Sequence, residues 1–227
     1  MAEGRRFMSM LPSPATIRAD SARECLQVDG LRFAHPGVPL FDGFSATVPA
    51  GATMLRGGDG RGKTTLLRLL AGDLAAQAGR LRAGGVDLAA DPAAYRRTVF
   101  RPEMASGAFD QLTPVEVLAS VRAQWPGFDE GRLEGLVEGL SLGAHMAKKM
   151  FMLSTGSKRK VWLAAAFAAG AAVTLLDDPF ASLDRPSIRF VLAQLQEAAA
   201  HPARAIVFSA YEAPEGLALS SVIDLGD

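Results

Sequence analysis

Two short stretches of this 227-residue chain combine residue types and spacings that can do chemistry. The first is GGDGRGKTT, Gly57–Thr65. Gly57, four further residues, then Gly62, Lys63 and Thr64 match the pattern G-x-x-x-x-G-K-[ST]. Glycines let successive backbone N–H groups turn inward towards phosphate oxygens, at angles that side chains would forbid. Lys63 brings a positive charge to the outer phosphates, and Thr64 offers a hydroxyl to Mg²⁺. The following helix aims its positive end at the anion. Gly58, Asp59, Gly60, Arg61 and Thr65 complete the cradle as candidate nucleotide contacts. A chance glycine-rich turn is the plain alternative. Against it, the apolar strand ATML precedes the loop and the leucine-periodic KTTLLRLL follows it.

The second stretch is VTLLDDPFASLD, Val173–Asp184, where an apolar run ends in two neighbouring carboxylates before Pro179. Beside a phosphate loop, an acid ending a neighbouring strand can hold the Mg²⁺ that Thr64 also touches. Asp177 fits that role, and a simple capping aspartate before proline is the weaker reading.

The elements needed to position these groups are legible as patterns. Alternating stretches from ECLQVDGLRFAH onward predict strands, followed by SATVPAG and ATMLRG. KTTLLRLLAG predicts a helix stopped by Gly72. GRLRAGGVDL reads as a hairpin and RRTVF as a further strand. Residues 113–142 read as mostly helical, with Thr113 as N-cap, Pro114 at the first helical position and Glu116 at the third. An alanine-rich helix after Gly156 leads to strand VTLLD. Helix RPSIRFVLAQLQEAAA and strands RAIVFSA and SSVIDLGD complete the chain. Strands alternating with helices predict an α/β fold with a mainly parallel sheet covered on both faces.

Composition narrows the class further. Lys plus Arg and Asp plus Glu both number 24, so the chain has no global basic field for nucleic acid. A single cysteine, Cys25, cannot form an internal disulfide and suits a reducing compartment. The longest uncharged run, Val161–Leu176, is shorter than the ~20 residues of a bilayer span. It reads as a buried helix, a turn at Gly170 and a buried strand. Residues 1–21 are expected to be a mobile tail, because FMSML is too short for a signal sequence and Pro12 and Pro14 break it. A cytoplasmic protein is expected.

The ordered motifs resemble those of the ATP-binding cassette (ABC) ATPases over about residues 23–227. GGDGRGKTT looks like the Walker A motif and VTLLDDPF like Walker B. LTPVEVL looks like the start of the helical subdomain. LSTGSKRKV resembles the signature, with Leu153, Ser154 and Gly156 retained, and ASLD resembles the D-loop, with Asp184 as its acid. The resemblance implies a P-loop NTPase core of RecA-like type with an antiparallel β lobe. It places the ATPase domain at residues 22–227, with a helical subdomain inserted at roughly 104–156. It further implies ATP and Mg²⁺ as ligands and a head-to-tail dimer, as homodimer or heterodimer. In that dimer Ser154, Thr155 and Gly156 of one protomer close over the γ-phosphate held by Lys63 of the other. An integral membrane transporter subunit would be the second partner, holding the chain at the inner face of the membrane. The short, extension-free form resembles small exporter ATPases, including those of cytochrome c maturation.

Departures from the family fall on the hydrolytic apparatus. Asp178 stands where a glutamate base is usual; being one methylene shorter, it predicts slow hydrolysis. Ala210 replaces the expected histidine, with Tyr211 offering a hydroxyl by a different geometry, and His201 lies at the wrong end of that strand. Arg101 and Pro102 occupy the neighbourhood of the expected glutamine, and Gln111 comes later. His35 stands where an aromatic residue stacks on adenine, with Phe33 read as core. A hydrolysis-poor regulatory cassette is therefore the competing reading. A phosphate-loop kinase has no use for LSTG or ASLD, and a chromosome-organising ATPase needs a coiled-coil insertion for which the chain has no room.

Overall fold

A computed structural model describes residues 24–103 and 107–226. The expected tail at residues 1–21 lies outside the described residues. The chain opens with strands β1 (Glu24–His35), β2 (Val38–Pro49) and β3 (Gly51–Arg56), then helix α1 (Lys63–Leu70). Strands β4 (Ala78–Ala83) and β5 (Val86–Asp87) precede helix α2 (Pro92–Arg96) and strand β6 (Val99–Phe100). Helices α3 (Pro114–Gln124), α4 (Glu130–Gly139) and α5 (Thr155–Ala168) follow, then β7 (Val173–Leu176), α6 (Arg185–Ala199), β8 (Ala205–Ser209) and β9 (Ser221–Asp224).

The strands form two sheets. β2-β1-β4-β5 is antiparallel, with β4 and β5 pairing as the expected hairpin. β6-β7-β8-β3-β9 is parallel throughout. In the parallel sheet, side chains alternate between two cores, as a period of two requires. Ile206 and Phe208 of β8 join Trp162 of α5 and Val191 and Leu195 of α6 on one face. Ala205 and Val207 join the leucines of α1 and the inner face of the antiparallel sheet on the other. Both faces are thus covered, which is why the short strands read as continuous apolar runs rather than as alternating ones.

Local signals end the helices where expected. Leaving α1, Gly72 N–H reaches Leu69 O and Asp73 N–H reaches Arg68 O, both at 3.0 Å, a Schellman closure. Thr113 and Glu116 form a reciprocal capping box at α3. Two sequence expectations need adjustment. RRTVF pairs over only Val99–Phe100, because helix α2 takes up Arg96. That helix was not anticipated, although Asp91 accepts from Ala94 N–H and Pro92 stands at its start. Among the described residues, no helix is long and apolar enough to cross a membrane.

Candidate functional site

The parallel sheet brings the ends of β3, β8 and β7 side by side, and a cleft of about 500 Å³ opens at those carboxyl ends. Ligands of open parallel sheets bind there, because loops leaving the strands carry the side chains while helix N-termini point inward. The loop after β3 supplies Gly58, Asp59, Gly60, Gly62, Lys63, Thr64 and Thr65 to the lining. Gly62 is the N-cap of α1 at φ 89°, a left-handed angle, and a Cβ there would meet Leu40 Cδ2 at 2.7 Å. Only glycine allows the loop to pass this close to β2. Lys63 Nζ donates to Gly57 O at 2.5 Å and Gly58 O at 2.9 Å, folding the side chain back across its own loop.

From β7 come Asp177 and Asp178, and between them and the phosphate loop stands Ser209, the last residue of β8. Ser209 is buried, donating its hydroxyl to Asp177 Oδ1 at 2.8 Å and accepting from Asp178 N–H at 2.8 Å. One hydroxyl thus holds both acids. Asp178 sits at φ 45°, the left-handed region that a residue with a Cβ adopts at a cost. The oxygens of Thr64 and Asp177 in one cleft suit a hard cation such as Mg²⁺, which takes one or two carboxylates and completes its shell with phosphates and water. With Asp177 Oδ1 tied to Ser209, that carboxylate is oriented in advance.

Tyr211 enters the cleft from the segment after β8. Its ring centroid lies 4.5 Å from Lys63 Nζ, a cation–π contact, and its hydroxyl donates to Asp59. That hydrogen bond, with the negative charges of Asp59 and Asp178, raises the phenol above its ordinary pKa. Arg159 of α5 also lines the cleft, its guanidinium donating to the main-chain carbonyl of Asp178. His35 closes one side, its Nε2 3.4 Å from Thr65 Oγ1 and its ring perpendicular to that of Phe33, the ring centroids 5.0 Å apart. Phe33 itself is buried, as its reading as core predicts.

The remaining nominated residues lie elsewhere. Ser154 caps α5, accepting from Ser157 N–H at 3.1 Å, and Ser154 and Thr155 are exposed. Gly156 is pressed against the loop before α6, where a Cβ would meet Ser182 O at 2.3 Å. None of these three lines the chain's own cleft, nor do Gly57, Arg61 and Asp184. Asp184 caps α6 through Ser187 N–H at 2.9 Å and pairs with the buried Lys160 at 2.9 Å. These bonds hold its carboxyl well below the usual carboxylate range, with Ser187 the larger cause. Arg101 is tied to Asp73 at 2.6 Å, and Gln111 lies outside the cleft lining.

Sequence reasoning missed Ser209 and Arg159 as cleft residues. A small polar residue ending a fully buried strand beside Ala210 was the available signal for the first. A cation three residues past Gly156 gave no such signal, because helix phase alone does not say which neighbour it meets.

Known proteins resemble this chain in sequence and in fold. The ABC transporter family model matches residues 41–181. The nickel import ATP-binding protein NikO of Rhodobacter capsulatus is 32% identical over 204 residues, covering 82% of this chain and 79% of its own. The cytochrome c biogenesis ATP-binding export protein CcmA of Aromatoleum aromaticum is 30% identical, covering 95% of this chain and 97% of its own. A solved structure described as the ATP binding subunit of an ABC transporter superposes with a TM-score of 0.73 at 25% identity, over 82% of this chain and 79% of that one.

Proposed function

This chain belongs to the ABC transporter family of ATP-binding subunits, and on that premise we propose how its residues couple ATP hydrolysis to a membrane partner. The protein binds ATP and hydrolyses it, as the family does. The observation that carries the reading is the convergence of three adjacent strand ends on one cleft: the loop after β3, Ser209 at the end of β8, and the acids after β7.

Within that cleft, the backbone of Gly58, Asp59, Gly60 and Gly62 and the N-terminus of α1 cradle the β- and γ-phosphates, and Lys63 neutralises the outer charge. Thr64 and Asp177 are the residues that would hold Mg²⁺, which when bound supplies charge neutralisation across the phosphate oxygens. Asp178, exposed at the cleft, accepts the proton of the attacking water. His35 offers its ring face to the adenine. Without a histidine at Ala210, the water is held by fewer groups, and hydrolysis is slow.

A second protomer contributes Ser154, Thr155 and Gly156, whose hydroxyl and helix N-terminus form a second anion site facing its partner's γ-phosphate. Asp184 and the loop before α6 stand beside that signature through the close contact of Gly156 with Ser182. We take residues 22–227 as one ATPase domain and the α3–α4 segment, within about 104–156, as its helical subdomain. An integral membrane subunit is the second partner, and the chain acts at the inner face of the membrane, where ATP is present. The export protein CcmA, matched over nearly the whole of both chains, supports a small exporter-type role. No nucleic-acid partner is proposed, the net charge being zero.

Steady-state ATP turnover of the purified chain tests the reading. Lys63→Ala and Asp178→Asn should each abolish turnover, while Asp178→Glu should raise it by restoring the longer reach. Turnover that survives Lys63→Ala removes the cradle assignment. A wild type and an Asp178→Glu variant that both bind ATP and stay inert would mark the protein as a regulatory cassette instead.

A further inference from the structure

Helix α5 begins at the signature residues offered to a partner, yet three residues past Gly156 the Arg159 side chain reaches its own chain's cleft. Its Nη1 donates to the main-chain carbonyl of Asp178. The same carbonyl receives the Ala181 N–H at 3.3 Å, and the Asp178 N–H donates to Ser209 Oγ at 2.8 Å. Asp178 is thereby gripped through both of its backbone polar groups, at a φ of 45°. Arg159 Nε, shielded from solvent, has no hydrogen-bond partner among the described residues. A left-handed aspartate and an unpaired buried donor are both unfavourable, and here they adjoin. Local costs of this kind gather where geometry serves function rather than stability.

We propose that Arg159 is a positioning residue for hydrolysis, holding the Asp178 peptide so that the short carboxylate stays aimed into the cleft. The inference rests on the reading of Asp178 as the base. It gives one helix two duties: its N-terminus faces the partner's nucleotide, while Arg159 sets the base over its own. An aspartate makes such a hold more necessary, since its carboxylate has one fewer torsion with which to correct a displaced backbone.

The test measures kcat and KM for ATP, the Kd of a fluorescent ATP analogue with Mg²⁺, and the thermal midpoint. Arg159→Ala should lower kcat about 100-fold, the effect of misplacing a reacting group by ~1 Å, with Kd and midpoint little changed. Arg159→Lys should recover part of the rate, because an ammonium still reaches one carbonyl. In an Asp178→Glu background Arg159→Ala should cost less than in the wild type, since the longer side chain has a further torsion with which to correct a displaced backbone. If Arg159→Ala does not fold, Arg159→Met gives the same reading, keeping an unbranched stem and losing every N–H donor. Unchanged kcat in the Arg159 variants while Asp178→Asn is inert overturns this inference and leaves the base reading standing. Full turnover by Asp178→Asn overturns both. A parallel fall of kcat, nucleotide affinity and thermal midpoint shows a structural staple and also overturns the inference.

Discussion

Tyr211 donates its phenolic hydrogen bond to Asp59 across the mouth of the phosphate loop, a contact between residues 152 positions apart. In a loop proposed to cradle polyphosphate an acid is a liability, because its charge repels the ligand. The phenol satisfies that carboxylate and draws it aside, while the ring packs against Lys63.

Tyr211→Phe keeps the ring and releases the acid. A hydrogen bond worth about 0.5–1.5 kcal/mol net corresponds to a loss of about two- to tenfold in ATP affinity. Asp59→Asn should bind ATP more tightly than the wild type, and in that background Tyr211→Phe should change little. Nucleotide titrations of the four proteins check this, and equal affinities throughout would refute the role given to the phenol.

Ser209 is the only side chain among the described residues that hydrogen-bonds both Asp177 and Asp178. Ser209→Ala removes a buried hydroxyl and leaves the Asp178 N–H without that partner, which should cost about 1–3 kcal/mol of stability. It also frees the Asp177 carboxylate to rotate. Loss of such an outer partner typically weakens metal affinity about 10–100-fold. Thermal unfolding and Mg²⁺ titration of ATP binding measure the two effects separately.

Gly156 has no room for a side chain. A methyl group there would sit 2.3 Å from Ser182 O, a backbone atom that cannot step aside cheaply. Gly156→Ala should push α5 away from the loop before α6, lower the thermal midpoint, and weaken ATP-driven dimerisation while sparing nucleotide binding by the monomer. Gel filtration with Mg-ATP reads the dimer, and an intact dimer would contradict the prediction.

Asp184 predicts a pH dependence. Its folded-state pKa is depressed by Ser187 and Lys160. Its stabilisation is therefore fully present above the unfolded value of about 3.9 and is lost as the pH falls below it towards the folded value. Asp184→Asn should lower stability at neutral pH and flatten the acid limb below about pH 4. Thermal midpoints measured across that range would show parallel curves if the carboxylate did not matter.

Much of this protein is written in short-range patterns. The phosphate loop, the Thr113–Glu116 capping box, the closure at Gly72 and the alternation of strands with helices all depend on residues a few positions apart. Turn and cap chemistry is settled by local dihedral angles and neighbouring donors, so a sequence carries it openly. The apolar run ending at Asp177 and Asp178 likewise announced a strand with acids at its tip. Helix α2 went unseen although its signals were equally local, because its five residues offer no periodicity to detect.

What only the tertiary structure decided is which distant residues share the cleft. Strand order places β8 between β3 and β7, and that alone puts Ser209 on both acids and Tyr211 over Lys63. Arg159 faces its own cleft while Ser154, five residues before it, does not, a division set by how α5 lies against β7 and α6. Such choices depend on sheet order and helix packing, which are settled by the free energy of the whole core rather than by any one segment.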